Sequence, residues 1–276
     1  MIRRLVAPDV RKTIGIVGLG TAGAAAATFL GRQGHSVKIF ERSPIELFDS
    51  NRGAGIGIQP IGLTVLKRLG ILDPILDLGC RVDHLHSVTQ SGTTVLDLKY
   101  AHFHPKLYGL GLNRNTLFTE LHALSTSTPN VELACEVNVS SVEYATVSGG
   151  ATGAVAGEKP FIVHSDGARE GPFDLVIVAD GRSSIRRNMP IKSFEQPYPF
   201  GCLWSSLPDE NDVFCSNKAL VQKLDSAKVM LGVLPTGKTQ EMSNTDADLI
   251  TLFWSIELAK LEAIKVGLVW NKVWCV

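Results

Sequence analysis

The sequence predicts a mixed α/β (α+β) fold, and two stretches carry the prediction. Near the amino end, KTIGIV, GLGTAG and SVKIF read as a strand, a glycine-rich turn leading into a helix, and a second strand. That is the unit from which parallel α/β layers are built. Near the carboxyl end, VMLGVLPTGKT and LITLFWSIE read as two strands with alternating apolar positions and a Pro-Gly turn between them. A chain of 276 residues can bury one large core or two modest ones.

Taken in order, Lys12 to Val17 is a short β-branched run, as a buried parallel strand requires. It leads into Gly18-Leu19-Gly20-Thr21-Ala22-Gly23, a G-x-G-x-x-G, and then into a helix of small residues that Gly34 stops. Ser36 to Phe40 forms the second strand, with Glu41 and Arg42 at its carboxyl end; Glu41 lies 23 positions after Gly18. Gly18 permits a tight turn, Gly20 lets backbone approach a pyrophosphate, and Gly23 lets helix pack on strand. Glu41 is placed to accept hydrogen bonds from an adenosine ribose, and its charge opposes a 2′-phosphate there. The strand, the glycines, the helix and the spaced acid together imply an adenine dinucleotide, FAD or NAD, and make NADP a poor fit for this pocket.

Three further stretches follow. In RGAGIGIQPIGLTVLKRLGI, Arg52 to Ile71, Gly53, Gly55 and Gly57 let the backbone come close to something flat or charged, and an amphipathic helix follows. In GLNRNTLFTELHAL, Gly111 to Leu124, Asn113 reads as the N-cap of a helix whose apolar face holds Leu117, Leu121 and Leu124. Arg114 then falls in the first turn, where a cation opposes the helix dipole unless an anion lies near. In FDLVIVADGRSSIRR, Phe173 to Arg187, an apolar strand ends in a sharp Asp180-Gly181 turn, and Ser183 and Ser184 start a short helix. Ligands of open α/β sheets lie outside such strand ends. Strands are expected at Val131–Tyr144 and Phe161–His164, with Ala145 to Pro160 as a long loop between them, and a helix-like segment at Glu257 to Gly267.

Composition removes some function classes. Lys plus Arg and Asp plus Glu number 27 each, so net charge gives no reason to expect nucleic acid or an anionic membrane. The five cysteines are scattered without a C-x-x-C pair, the pattern of reduced thiols in a reducing compartment. No secretory signal and no apolar run of ~18 residues is visible, which gives a cytoplasmic expectation with an organelle address left open. Two His-x-His pairs, His84/His86 and His102/His104, share strand faces, but no carboxylate or cysteine completes a known metal spacing, so no metal is expected. Arg182, Arg186 and Arg187 read as a solvated basic face in preference to a site for a nicotinamide cofactor's phosphates, and Trp204 and Trp254 as core in preference to an aromatic pocket.

At these residues the chain resembles the flavin-dependent aromatic monooxygenases of the para-hydroxybenzoate and salicylate hydroxylase group. The resemblance runs from about Lys12 to the end. It covers Gly18, Gly20, Gly23, Glu41 and Arg42, the G-A-G-I stretch Gly53 to Ile56, and R-x-x-L at Arg114 and Leu117. It also covers D-G-x-x-S-x-x-R at Asp180, Gly181, Ser184 and Arg187, and the later G-x-L-P-T-G and F-W-S. It implies FAD in the Rossmann-type site, with Gly55 and Ile56 near the flavin, Arg114 on FAD phosphates, and Asp180-Gly181 linked to both FAD and NAD(P)H. It further implies NAD(P)H as co-substrate, O₂, and a small aromatic or other electron-rich molecule to be hydroxylated. No nucleophile is required, so none is nominated, and oligomeric state is left open.

The family's fold interleaves its domains, which implies FAD binding by about 1–76 and 105–190 and a substrate sheet of about 77–104 and 191–276. Family members continue into a G-D motif; no such dipeptide occurs here, so the chain is expected to be C-terminally truncated, its substrate sheet incomplete. Its apolar tail, Val266 to Val276, is then an aggregation liability. A non-hydroxylating FAD oxidoreductase and a non-catalytic FAD-binding or interaction protein are the alternatives.

Overall fold

The structure, a computed structural model, describes residues 11–45, 53–147, 157–182, 184–189, 192, 194–225, 229–242, 246–267 and 274–275. The chain opens with β1 (Thr13–Val17), α1 (Thr21–Arg32) and β2 (Ser36–Phe40). Next come β3 (Gly55–Ile58), α2 (Pro60–Leu69), α3 (Leu72–Leu78), β4 (Cys80–Val82), β5 (His84–Thr89), β6 (Thr94–Lys99) and β7 (Gly109–Asn113). The middle holds α4 (Arg114–Ser127), β8 (Val131–Ala134), β9 (Val139–Val147), β10 (Gly157–His164), β11 (Arg169–Glu170) and β12 (Leu175–Val178). The last part holds β13 (Phe200–Pro208), α5 (Val213–Asn217), β14 (Ala219–Asp225), β15 (Val229–Gly237), β16 (Leu249–Glu257), α6 (Leu261–Gly267) and β17 (Trp274–Cys275).

These elements form two compact units. The first comprises Met1–Asp49 and Phe118–Phe194, the second Ser50–Leu117 and Glu195–Val276. In the first unit a parallel sheet has the order β12-β1-β2-β8, and an antiparallel sheet the order β11-β10-β9. Helix α1 buries its small face, Gly23, Ala24, Ala27, Thr28 and Gly31, so the helix axis can sit close to the strands. A core of Val17, Phe40, Val139, Val142, Ile162, Phe173 and Ile185 joins residues of both sheets. Phe40 and Phe173 meet edge to face there, ring centres 6.1 Å apart. Asp174, just before β12, accepts from the Thr13 amide at 2.9 Å and from Lys159 Nζ at 2.5 Å. One side chain thus ties the starts of β1 and β12 to β10.

The second unit holds a seven-stranded sheet, β17-β13-β16-β15-β14-β5-β6, and a small one, β3-β7-β4. The backbones of β7 and β15 approach closely: a side chain at Gly111 would meet the Pro235 carbonyl oxygen at 1.8 Å.

Residues 53–76 and 105–117 lie in the second compact unit, where β3 and β4 pair with β7 and Gly55 packs on Thr236 and Thr251. Several sequence expectations change. The expected strand Val131–Tyr144 is two, in different sheets, broken where Glu136 adopts a φ of 60°. The expected loop at 145–160 is largely strand: Ala145, Thr146 and Val147 pair with Lys159, Glu158 and Gly157, while 148–156 lie outside the described residues. Pro235 to Gly237 is not the turn of a hairpin but an irregular end of β15, and residues 238–248 lead on to β16. His102 and His104 lie in and after a 3-10 turn, not on a strand. Trp204 is buried as expected, but Trp254, on the other face of the sheet by strand alternation, is 37% exposed. In the tail, 268–273 and 276 lie outside the described residues, and β17 pairs with β13.

Candidate functional site

In the parallel sheet, β1 has β2 on one side and β12 on the other, so the chain's course switches direction at β1. Clefts at such switch points, beyond strand carboxyl ends, are where α/β sheets take ligands. A cavity of about 240 Å³ lies there. It is lined by the ends of the three strands at Val17, Phe40 and Ala179, by Gly18 and Gly20, by Glu41 and Arg42, and by Asp180 and Gly181.

The glycine turn has little tolerance for side chains. Gly18 has a φ of +99°, and a Cβ on it would lie 2.6 Å from the Ala179 carbonyl oxygen; on Gly23 it would lie 1.9 Å from the Gly18 carbonyl oxygen. At Gly20, in contrast, a Cβ would meet nothing within 4 Å. Gly20 is the N-cap of α1, no side chain caps that helix, and its first turn holds no acidic residue. Thr21 and Ala22 are exposed and Leu19 is buried. The first amides of α1 therefore lack a side-chain acceptor and meet open space, the arrangement that takes an anion.

Glu41 is 9% exposed. Its Oε2 accepts from the Leu19 amide and its Oε1 from the Ser43 amide, both at 2.9 Å. The carboxylate thus fixes the glycine turn against the end of β2, and each oxygen keeps a further lone pair. Arg42 is exposed beside it. Asp180 Oδ2 accepts from the Ile185 amide at 2.7 Å, and Ser184 Oγ from the Arg186 amide at 3.2 Å, so both side chains cap the 3-10 turn Ile185–Asn188. Ser183, expected to start this turn, lies outside the described residues. Gly181, with φ +71°, makes the reversal after the strand.

Gly55, Ile56 and Arg114 form a separate cluster within the second unit. Gly55 pairs with Asn113 and Ile56 with Leu112. Asn113 caps α4 as expected, its Oδ1 accepting from the Asn115 amide at 2.9 Å, while its Nδ2 donates to the Gly53 carbonyl at 3.2 Å. The Arg114 amide donates to the Ala54 carbonyl at 3.0 Å. The close approaches at Gly53 and Gly55 are to the protein itself: a Cβ would meet Asn113 Oδ1 at 2.5 Å and Thr251 Oγ1 at 2.4 Å. Arg52, the first residue of that stretch, lies outside the described residues.

Sequence reasoning missed part of the first cavity's wall. Ser43, Val137, Asn138 and Val139 line it, the last three from the break between β8 and β9 and the first residue of β9. The change of sheet at Glu136 precedes Val137, Asn138 and Val139, and a non-glycine residue at positive φ leaves no clear mark in a sequence.

Residues 11–243 match the family model described as FAD binding domain. The chain belongs to this family. FAD is therefore the dinucleotide, which decides between the two that the glycine turn and Glu41 left open. The chain is 34% identical over 97 residues to a 6-hydroxynicotinate 3-monooxygenase of Pseudomonas fluorescens, covering 35% of this chain and 24% of that protein. It is 30% identical over 179 residues to the FAD-dependent monooxygenase atnA of Arthrinium sp., covering 63% of this chain and 22% of that protein. Among solved structures, PqsL of Pseudomonas aeruginosa, described as a probable FAD-dependent monooxygenase, shares the fold with a TM-score of 0.68 at 20% identity. That match covers 93% of this chain and 64% of PqsL, so the chain spans about two thirds of that structure and the matched stretches about a quarter of the two sequence relatives. Among the described residues no helix is long and apolar enough to cross a membrane.

Proposed function

We propose that this chain is the FAD-holding part of a monooxygenase that uses NAD(P)H and O₂ to hydroxylate a small aromatic or other electron-rich molecule. The observation that carries the reading is the cavity at the ends of β1, β2 and β12, where an uncapped helix start, an open approach at Gly20 and a buried carboxylate meet. The relatives named above as monooxygenases support the choice of reaction.

FAD, when bound, would supply the redox chemistry, namely hydride acceptance from the nicotinamide and activation of O₂. The chain's own residues bind and orient. Amides of Leu19 to Gly23 and the start of α1 would hold the pyrophosphate, with Gly20 leaving room for it and Gly18 and Gly23 keeping the turn tight. Glu41 would accept from the ribose hydroxyls of the adenosine half, with Arg42 beside it. Asp180 and Gly181 would close the far wall, while Arg114 would contact phosphate and Gly55–Ile56 backbone would lie near the flavin, as in the family resembled. Burial of Glu41 favours this use, since hydrogen bonds to a carboxylate strengthen as water is excluded.

The test is purification of the chain, a visible spectrum, and NAD(P)H oxidation with and without aromatic compounds. A flavin spectrum, oxidation stimulated by an aromatic compound, and a product heavier by one oxygen atom are expected. Stimulated oxidation of NAD(P)H without oxygen transfer would replace the reading with the non-hydroxylating oxidoreductase; a folded chain that neither carries nor takes up FAD would overturn it.

A further inference from the structure

The hairpin of β5 and β6 brings a carboxylate to the His84/His86 pair. His84 and His86 stand two apart on β5, hence on one face of the sheet. Asp97 of β6 pairs directly opposite His86, so its side chain shares that face. His84 Nε2 and Asp97 Oδ1 are 2.6 Å apart, and the two imidazole rings have centres 5.2 Å apart. One donor atom from each residue lies within 4.8 Å of the other two. His86 Nδ1 is buried without a hydrogen-bond partner. A buried imidazole nitrogen without a partner is unfavourable unless something fills its lone pair. The carboxylate that the His-x-His spacing lacks is supplied across the hairpin, 13 positions after His84.

We propose that His84, His86 and Asp97 form a binding site for one divalent transition-metal ion of the borderline class, such as zinc. Two neutral imidazoles and one carboxylate are the nitrogen and oxygen donors such ions prefer, and three protein ligands leave a position for water. Bonds of about 2.0–2.1 Å in a tetrahedron set donor atoms roughly 3.3 Å apart. The pair at 2.6 Å must open slightly to reach this spacing. Binding uses the Nε2 lone pair of a neutral His84, so the proton of the Nε2···Oδ1 hydrogen bond moves to the other ring nitrogen, or to solvent if the ring starts protonated. A metal here clamps β5 to β6. The other group of this kind among the described residues, Asp209, Asp212 and Cys215, is committed elsewhere. The Asp209 carboxylate accepts from the amides of Val213, Phe214 and Cys215 at the start of α5.

The proposal is independent of FAD and is tested on the untagged 276-residue chain, stripped with chelator and titrated calorimetrically with Zn²⁺ in a non-coordinating buffer. One equivalent is expected to bind and to raise Tm by mass action. Asp97→Asn and His86→Ala should each weaken binding at least tenfold, with melting in chelator close to that of the parent, whereas Cys80→Ser should leave binding as it was. Co²⁺ bound in place of Zn²⁺ should show no thiolate charge-transfer absorption. The proposal is overturned if the parent takes up no Zn²⁺ at millimolar concentration, or if binding survives unchanged in both Asp97→Asn and His86→Ala. It is equally overturned if binding is lost in Cys80→Ser or if Co²⁺ shows thiolate ligation, either of which puts the ion on the cysteines.

Discussion

The carboxylate of Glu41 and the missing side chain of Gly20 separate two effects that a single substitution usually mixes. Glu41 accepts from the amides of Leu19 and Ser43, and Leu19 is 3% exposed. Glu41→Ala leaves the buried Leu19 amide unpaired, which costs about 1–3 kcal/mol. It should therefore lower the Tm of the apo chain as well as weaken FAD by about tenfold or more, equivalent to ~1.4 kcal/mol. Glu41→Gln keeps one oxygen acceptor and should fall between, as thermal melts and flavin titrations of the three proteins would show. Gly20→Ala meets open space at an ordinary φ of −64°, so the fold should lose less than about 1 kcal/mol. The same methyl would stand where the proposed site brings backbone to the pyrophosphate, so FAD affinity should drop while Tm barely moves. Gly23→Ala is the opposite case: its Cβ would sit 1.9 Å from the Gly18 carbonyl oxygen, so stability and binding should fail together.

Between elements, the ties are single polar side chains at strand and helix ends. Lys159, then the Thr13 amide and hydroxyl, hold the Asp174 carboxyl down to about 2, below its ordinary value near 3.8. A carboxyl lowered on folding adds stability that is present above its unfolded pKa and lost as pH falls toward the folded value. Asp174→Asn should thus be less stable than the parent at neutral pH, and the gap in denaturant midpoint should close between about pH 4 and pH 2. Asn113→Ala removes the cap of α4 and the bond to Gly53, an expected loss of about 1–2 kcal/mol by chemical denaturation. Local patterns of this kind were legible: the β1–α1–β2 unit, the Asn113 cap and the turn at Asp180 all follow from neighbouring residues. Pairings set by distant chain were not. The break at Glu136, the extension of β9 and β10, and the grouping of Gly53 to Ile56 with β7 depend on partners that periodicity cannot name. The same is true of Asp97, whose place beside His84 is a matter of hairpin register.

For the molecule as a whole, the balance of 27 basic and 27 acidic residues means that ligand capture rests on local geometry, not on a long-range field. The first unit carries the cavity proposed for the adenine dinucleotide, with its helix start, its glycine turn and its acid. Gly55, Ile56 and Arg114 come from the second unit, so their proposed contacts with FAD are a separate matter from the cavity itself. The fold shared with PqsL extends over 93% of the chain, consistent with both units being built on the plan of this family. The central claim is that the cavity at the ends of β1, β2 and β12 holds the adenosine and pyrophosphate of FAD. Its most direct test is an equilibrium titration of the apo chain with FAD, followed by flavin fluorescence, beside Glu41→Ala and Gly20→Ala. The account predicts saturable binding of one FAD per chain, weakened about tenfold or more by each substitution, with the Gly20→Ala fold intact. Binding of equal strength in all three proteins, or none to a folded parent chain, would contradict it.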